Sequence, residues 1–214
     1  MTLHEPTVAL TDLGLALECA LFFFLLPAPT SNIALARAWR LLFASLAGAA
    51  FLGFVVHGFL VDKSALSYRL AWTATLLAIG VVTLATTLIA THLCCAAPTR
   101  QWIVRATLLL LSGYAVLVLM GYRHYGLVVA VYLPAILFLL GALAVRYWRV
   151  RSPGTVLGMA GLVLSLLAAA VQQLNINLHP DYLDHNTLYH LIQALALWLL
   201  YLCARRLLRP AAGE

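Results

Sequence analysis

Seven apolar stretches divide this chain, near residues 8–27, 38–61, 69–96, 102–121, 125–147, 154–174 and 184–204, and each is long enough to cross a bilayer. A spanning helix needs about 20 mostly apolar residues, because once water is excluded every backbone N–H and C=O must be satisfied within the segment itself. With 214 residues in all, little chain remains for a soluble domain or a long linker, and no repeat or low-complexity tract stands out. Composition agrees. Charged residues are 9 % and hydrophobic ones 64 % of the chain, where a soluble domain carries about 25 % charged residues. The expected fold is all-α, a polytopic single-domain bundle of seven transmembrane helices covering residues 1–214.

The first stretch is expected to be a retained helix and not a signal peptide. Met1 to Leu10 holds no Lys or Arg, and Glu5, Asp12 and Glu18 are acidic where a leader is basic or apolar. Cys19, Cys94, Cys95 and Cys203 all fall in apolar stretches without CxxC spacing and read as packing residues.

Charge gives an expected orientation. One set of connections, with the C-terminal tail, carries Arg37, Arg40, Arg100, Arg105, Arg146, Arg149, Arg151, Arg205, Arg206 and Arg209; the other carries Lys63, Arg69 and Arg123. Ten against three is a positive-inside bias that puts the N-terminus outside and the C-terminus in the cytoplasm, as for a multi-pass protein of a bacterial inner (cytoplasmic) membrane. The net charge of +6 follows from this bias and from attraction to anionic membrane lipid, so nucleic acid is not an expected partner. Glu5, Asp12, Glu18, Asp62, Asp181 and Asp184 all sort to the outer half, with every histidine except His92.

Polar side chains at membrane depth are costly and persist where they face a bundle interior. In the seventh stretch Asn186, Tyr189, His190 and Gln193 follow i, i+3, i+4, i+7 and share one helical face. In the second, Ser45, Ala49, Gly53 and His57 lie four apart, a small-residue ridge that lets a neighbour pack closely and ends in an inward histidine. The sixth ends in Gln172 and Gln173, and Glu18 lies about two turns into the first. Glu18, His57, Gln172 or Gln173, Asn186 and His190 are therefore expected to converge below the outer rim, with Tyr189 and Gln193 lining the same cavity. Each also has a structural reading, as an interhelical hydrogen bond or a helix end at the interface. His179 and His185 read as loop and cap residues, the threonines of the third stretch as back-bonded to the preceding turn, Pro134 as a kink, and the tryptophans as an interfacial belt.

The inward histidine late in the second helix and the polar stripe opening the seventh resemble the CREST superfamily of membrane hydrolases, which includes alkaline ceramidases and progestin/adiponectin receptor-type proteins. The resemblance implies a zinc ion held by the helix-two histidine and an HxxxH pair on helix seven. It also implies a serine four residues before the first histidine and an aspartate on or near helix three. Here His57 matches the first ligand and His190 the last; Asn186 stands at the remaining histidine position and Gly53 at the serine position. No acid occurs in the third stretch, the nearest being Asp62. Asn is a poor zinc ligand beside imidazole, and His185, at i, i+5 from His190, is turned about 140° away.

Three functions follow as expectations. The leading one is a zinc-dependent hydrolase of lipid amide or ester bonds, with His57 and His190 binding metal, Asn186 or His185 completing the set, and Glu18 or Asp62 as general base. The second is a non-enzymatic protein that binds or senses a lipid or hydrophobic small molecule in the same cavity. The third is a b-type haem protein with His57 and His190 as axial ligands. A retinal protein is not expected, because the only lysine, Lys63, lies in an outer loop and cannot form a Schiff base in the seventh helix. A secondary transporter fits poorly without an inverted repeat.

Overall fold

A computed structural model describes residues 3–27, 32–179 and 182–209. Among these residues it is helical, with seven helices in chain order: α1 (Pro6–Leu25), α2 (Ile33–Phe59), α3 (Leu66–Cys94), α4 (Ala97–Leu119), α5 (Tyr125–Val150), α6 (Pro153–Gln173) and α7 (His185–Leu208). All seven are long and apolar enough to cross a membrane. Asp181, one of the acids sorted to the outer half, lies outside the described residues.

Several helices run past the apolar stretches because caps, and not charges, set their ends. Asn32 accepts a hydrogen bond from the Leu35 N–H at 3.0 Å, so α2 starts at Ile33 and carries Arg37 and Arg40 within its first turns. Pro near the first position opens α1, α4 and α6, where its missing N–H costs nothing. Asp184 caps α7 by accepting from the Thr187 N–H at 2.7 Å. α5 continues through Pro134 to Val150 and ends on Arg151 in the left-handed region, φ 52°.

Six helices form a closed ring: α1, α2, α3, α5, α6 and α7 each pack on the next, and α7 returns to α1. α4 sits outside the ring against α3 and, more lightly, α5. The most extensive contact is between α6 and α7. A Cβ added at Gly158 would lie 2.6 Å from the Cys203 sulfur, and one at Gly161 would lie 2.8 Å from the backbone oxygen of Ala196. Close approach of this kind is how membrane helices gain packing energy without a hydrophobic drive between them.

The core is concentrated at one end. Phe22, Trp39, Phe43, Ile89, Leu139, Leu143, Leu200, Tyr201 and their neighbours fill the half of the ring that carries the arginines. There Phe22 and Tyr201 stack with ring centroids 4.4 Å apart. A smaller cluster of Leu76, Tyr114, Val118, Val128 and Val131 ties α4 and the start of α5 to α3. The α3 threonines bond back one turn as expected, for example Thr86 to the Val82 carbonyl at 2.8 Å and Thr87 to that of Thr83 at 3.0 Å. The tryptophan belt is only partial. Trp102 and Trp148 are exposed near helix ends, whereas Trp39 is fully buried in the core and Trp72 lines an internal cavity.

Candidate functional site

Where the core stops, a cavity of ≈ 180 Å³ opens in the opposite, acidic half of the ring. All six ring helices contribute to its wall and α4 does not. Its polar lining is Asp12 of α1, His57 of α2, Gln172 of α6, and Tyr189, His190 and Gln193 of α7, with Trp72, Thr75 and Tyr132 across from them. Its floor is apolar, with Leu15, Leu46, Ile79, Val82 and Leu197.

One carboxylate–imidazole pair lies in the cavity wall, and a second, more exposed one joins it through His57. In the deeper pair, His190 Nε2 lies 3.3 Å from Asp12 Oδ1, with both side chains nearly buried. His190 Nδ1 is 2.9 Å from Thr11 Oγ1, and that hydroxyl is also 2.9 Å from the Thr7 and Val8 carbonyls. Proton bookkeeping constrains the pair. If Thr11 donates to its own helix, it accepts from Nδ1–H, and Nε2 then faces Asp12 either as imidazolium against carboxylate or as acceptor from a carboxylic acid. If Thr11 donates to Nδ1, then Nε2 carries the hydrogen. In each arrangement one proton lies between Nε2 and Oδ1.

Asp12 reaches His190 because position 53 is glycine. A Cβ there would lie 2.8–2.9 Å from the atoms of the Asp12 carboxylate, so the aspartate from α1 fills the space beside α2 that a serine would use. Asp12 Oδ2 is buried without a hydrogen-bond partner among the described residues.

The outer pair is Glu5 and His57, with Oε2 and Nδ1 2.5 Å apart. Glu5 holds the N-cap position of α1, yet its side chain makes no cap hydrogen bond and turns to His57 instead. The backbone secures the approach: the Glu5 N–H donates to the His57 carbonyl and the His4 N–H to that of Gly58, both at 3.1 Å. Glu5 and Asp12 are seven apart and share a face of the chain entering α1.

The remaining expected site residues separate into two groups. Gln172, Tyr189 and Gln193 line the cavity. Gln193 Nε2 donates to Ser165 Oγ at 3.2 Å, tying α7 to α6. Gln172 Nε2 donates to Asn186 Oδ1 at 3.1 Å, so the amide oxygen of Asn186 is engaged at the rim. Gln173 is exposed, and Glu18 lies off the cavity wall with its Oε2 buried and unpaired among the described residues. His185 is held by the loop: its backbone N–H and its Nδ1–H both donate to Asn177 Oδ1, at 2.7 and 3.1 Å. Asp62 belongs to the exposed α2–α3 turn, where it accepts from the N–H and hydroxyl of Ser64 at 2.8 and 2.6 Å. The Ser64 hydroxyl and then its N–H hold the Asp62 carboxyl below the usual carboxylate range.

These placements bear on the cofactors. Among the described residues no three His, Cys, Asp or Glu side chains come together as a group able to hold a metal ion. Asn186 is committed to Gln172 and His185 to Asn177, so the set His57, His190, Asn186 and His185 does not fit zinc. A porphyrin does not fit either, because a cavity of ≈ 180 Å³ is smaller than the sites of about 300–1,000 Å³ that take drug-sized ligands. The residues that sequence reasoning passed over are Asp12 and Glu5, counted as outer acids but not as site residues, and Thr11.

Residues 7–209 match a family described as of unknown function, DUF6962, and the chain belongs to that family. No curated protein and no solved structure matches it.

Proposed function

We propose that this member of the family is a membrane binding protein that takes the polar end of a small amphipathic or lipid-derived molecule into its cavity. The proposed setting is a bacterial inner membrane, with the N-terminus outside and the C-terminus in the cytoplasm, as the ten-to-three distribution of basic residues supports. The cavity then opens toward the outer leaflet, and an acyl chain enters between helices while its headgroup meets the polar wall. The observation that carries the reading is the Asp12–His190 pair on the wall of a largely apolar hollow, with His57 beside it, among helices otherwise packed to the core. A buried charge-bearing pair lowers bundle stability relative to apolar packing, so the position of Asp12 and His190 on a cavity wall favours recognition over scaffolding. A volume of ≈ 180 Å³ suits a headgroup or one short molecule, not a whole lipid.

A second reading, hydrolysis of a lipid amide or ester bond, is favoured by the proton shared between Asp12 and His190. Such a pair takes a proton from an attacking water and returns it to the leaving group. This chemistry uses the chain's own residues.

Native mass spectrometry of the detergent-purified chain tests the first reading. The expected result is a copurifying lipid or amphiphile, about one per chain, lost in Asp12→Asn and His190→Ala variants that remain folded. An empty wild-type cavity, with no added lipid raising the unfolding temperature, would overturn it. Metal content and absorption spectrum of the same sample test the zinc and haem expectations directly. Turnover of a lipid ester that disappears in Asp12→Asn would move the assignment to the hydrolase.

A further inference from the structure

At the opposite, arginine-rich end of the bundle, α3 finishes in two adjacent cysteines. Cys94 is its last helical residue and Cys95 its C-cap, with φ −113° and ψ 141°. Consecutive residues within a helix point about 100° apart and do not face each other. Because Cys95 has left the helix for extended backbone, its side chain swings back, and the two sulfurs lie 3.5 Å apart. Cys94 Sγ is also 3.3 Å from the carbonyl of Ala90 one turn back.

Exposure sets this pair apart from the other two cysteines. Both cysteines are half-buried, whereas Cys19 and Cys203 are shut in the core at 1 % and 0 % exposure. Nearby, Arg100 of α4 reaches His92, one turn along α3 from Cys95, at 3.4 Å. Thiol oxidation depends on access, so the half-buried pair is open to an oxidant that the core cysteines do not meet.

We infer that Cys94 and Cys95 form a redox-active vicinal dithiol that a peroxide-class oxidant closes reversibly to a disulfide. One thiolate attacks a peroxide oxygen, the O–O bond breaks, and a sulfenic acid and one water result. The neighbouring thiolate attacks that sulfur, the S–O bond breaks, and a second water leaves. Two S–H bonds and one O–O bond are replaced by one S–S bond and two waters, with the peroxide reduced by two electrons. Adjacent Cα atoms are about 3.8 Å apart, closer than the roughly 4.4–6.8 Å of ordinary disulfides. The closed form is therefore readily reopened by a small-molecule thiol, which suits switching better than permanent cross-linking. Closure fixes the corner between α3 and α4, far from the polar cavity.

The test uses the purified full-length chain, hydrogen peroxide and peptide mass spectrometry after alkylation of free thiols. The expected product is a Cys94–Cys95 peptide lighter by two hydrogens, restored by dithiothreitol. It should form at least ~10-fold faster than any oxidation of Cys19 or Cys203. Phenylarsine oxide, which needs two neighbouring thiols, should bind the wild type at this peptide and lose binding in Cys94→Ser and in Cys95→Ser. If either variant misfolds, the wild-type mapping still decides. Oxidation that stops at sulfinic acid on one cysteine, equal reaction of all four cysteines, or no reaction would each overturn the assignment.

Discussion

Asp12 depends on an absence two helices away in the ring from its partner: no side chain at position 53 contests its place. Replacing Gly53 with Ala puts a Cβ at 2.8 Å from Asp12 Oδ2, and overpacking of this kind costs about 1–3 kcal/mol. The carboxylate must move, and its contact with His190 Nε2 goes with it. Gly48 lies on the same helix with nothing within 4 Å of an added Cβ. Denaturant or thermal unfolding in detergent should therefore show Gly53→Ala destabilised and Gly48→Ala unchanged or slightly stabilised, and only the first should lose copurifying ligand. Equal behaviour of the two would mean that Asp12 is free to relax. Sequence reasoning selected Glu18 in place of Asp12, and helical geometry explains the miss. Glu5, Asp12 and Cys19 recur every seven residues and so keep one face, while Glu18, six beyond Asp12, falls about 120° away from it. The signal was present, but only the identity of the facing residue, Gly53, shows which acid has room to act.

At the scale of elements, the pairing of α6 with α7 is the seam on which the site most depends, since α7 carries three of the polar cavity residues. Gly154, Gly158, Gly161 and Ser165 are all buried on α6. An added Cβ at Gly161 meets a backbone oxygen, which cannot rotate aside as a side chain can. Gly161→Ala should therefore push the two helices apart and destabilise the bundle by about 1–3 kcal/mol. Ser165→Ala removes only the bond from Gln193, a loss of about 0.6 kcal/mol by the measure of interhelical hydrogen bonds in membranes. Unfolding midpoints for the two variants should fall in that order, and the reverse order would mean the polar bond holds the seam. The sequence displayed a small-residue ridge on the second helix, and its Gly53 does serve close packing. The glycines of the sixth helix read simply as apolar composition, because spacing alone does not say what a face packs against. Helix number was legible for the opposite reason: apolar length is a local property of each stretch. Helix ends were less so, since Asn32 and Pro98 override the charges that mark a membrane edge.

For the whole molecule, the division into a packed basic half and a hollow acidic half joins two asymmetries that sequence and structure reach separately. Charge bias orders the loops, and core packing leaves the cavity at the end where histidines and acids gather. If the basic end is cytoplasmic, Lys63 is the one lysine on the far face, in the exposed turn between α2 and α3. Intact spheroplasts treated with a membrane-impermeant amine reagent should then yield labelled Lys63 without lysis. A fluorescent protein fused after Glu214 should mature, as it does only in the cytoplasm. Labelling of Lys63 only after lysis, with a dark fusion, would invert the bundle. The cavity would then open to the cytoplasmic leaflet, and the vicinal cysteines would face an oxidising exterior. Lysine labelling is independent of any ligand, so it fixes the side from which a substrate must arrive before a substrate is known. It also decides which leaflet's lipids belong in the first binding screen.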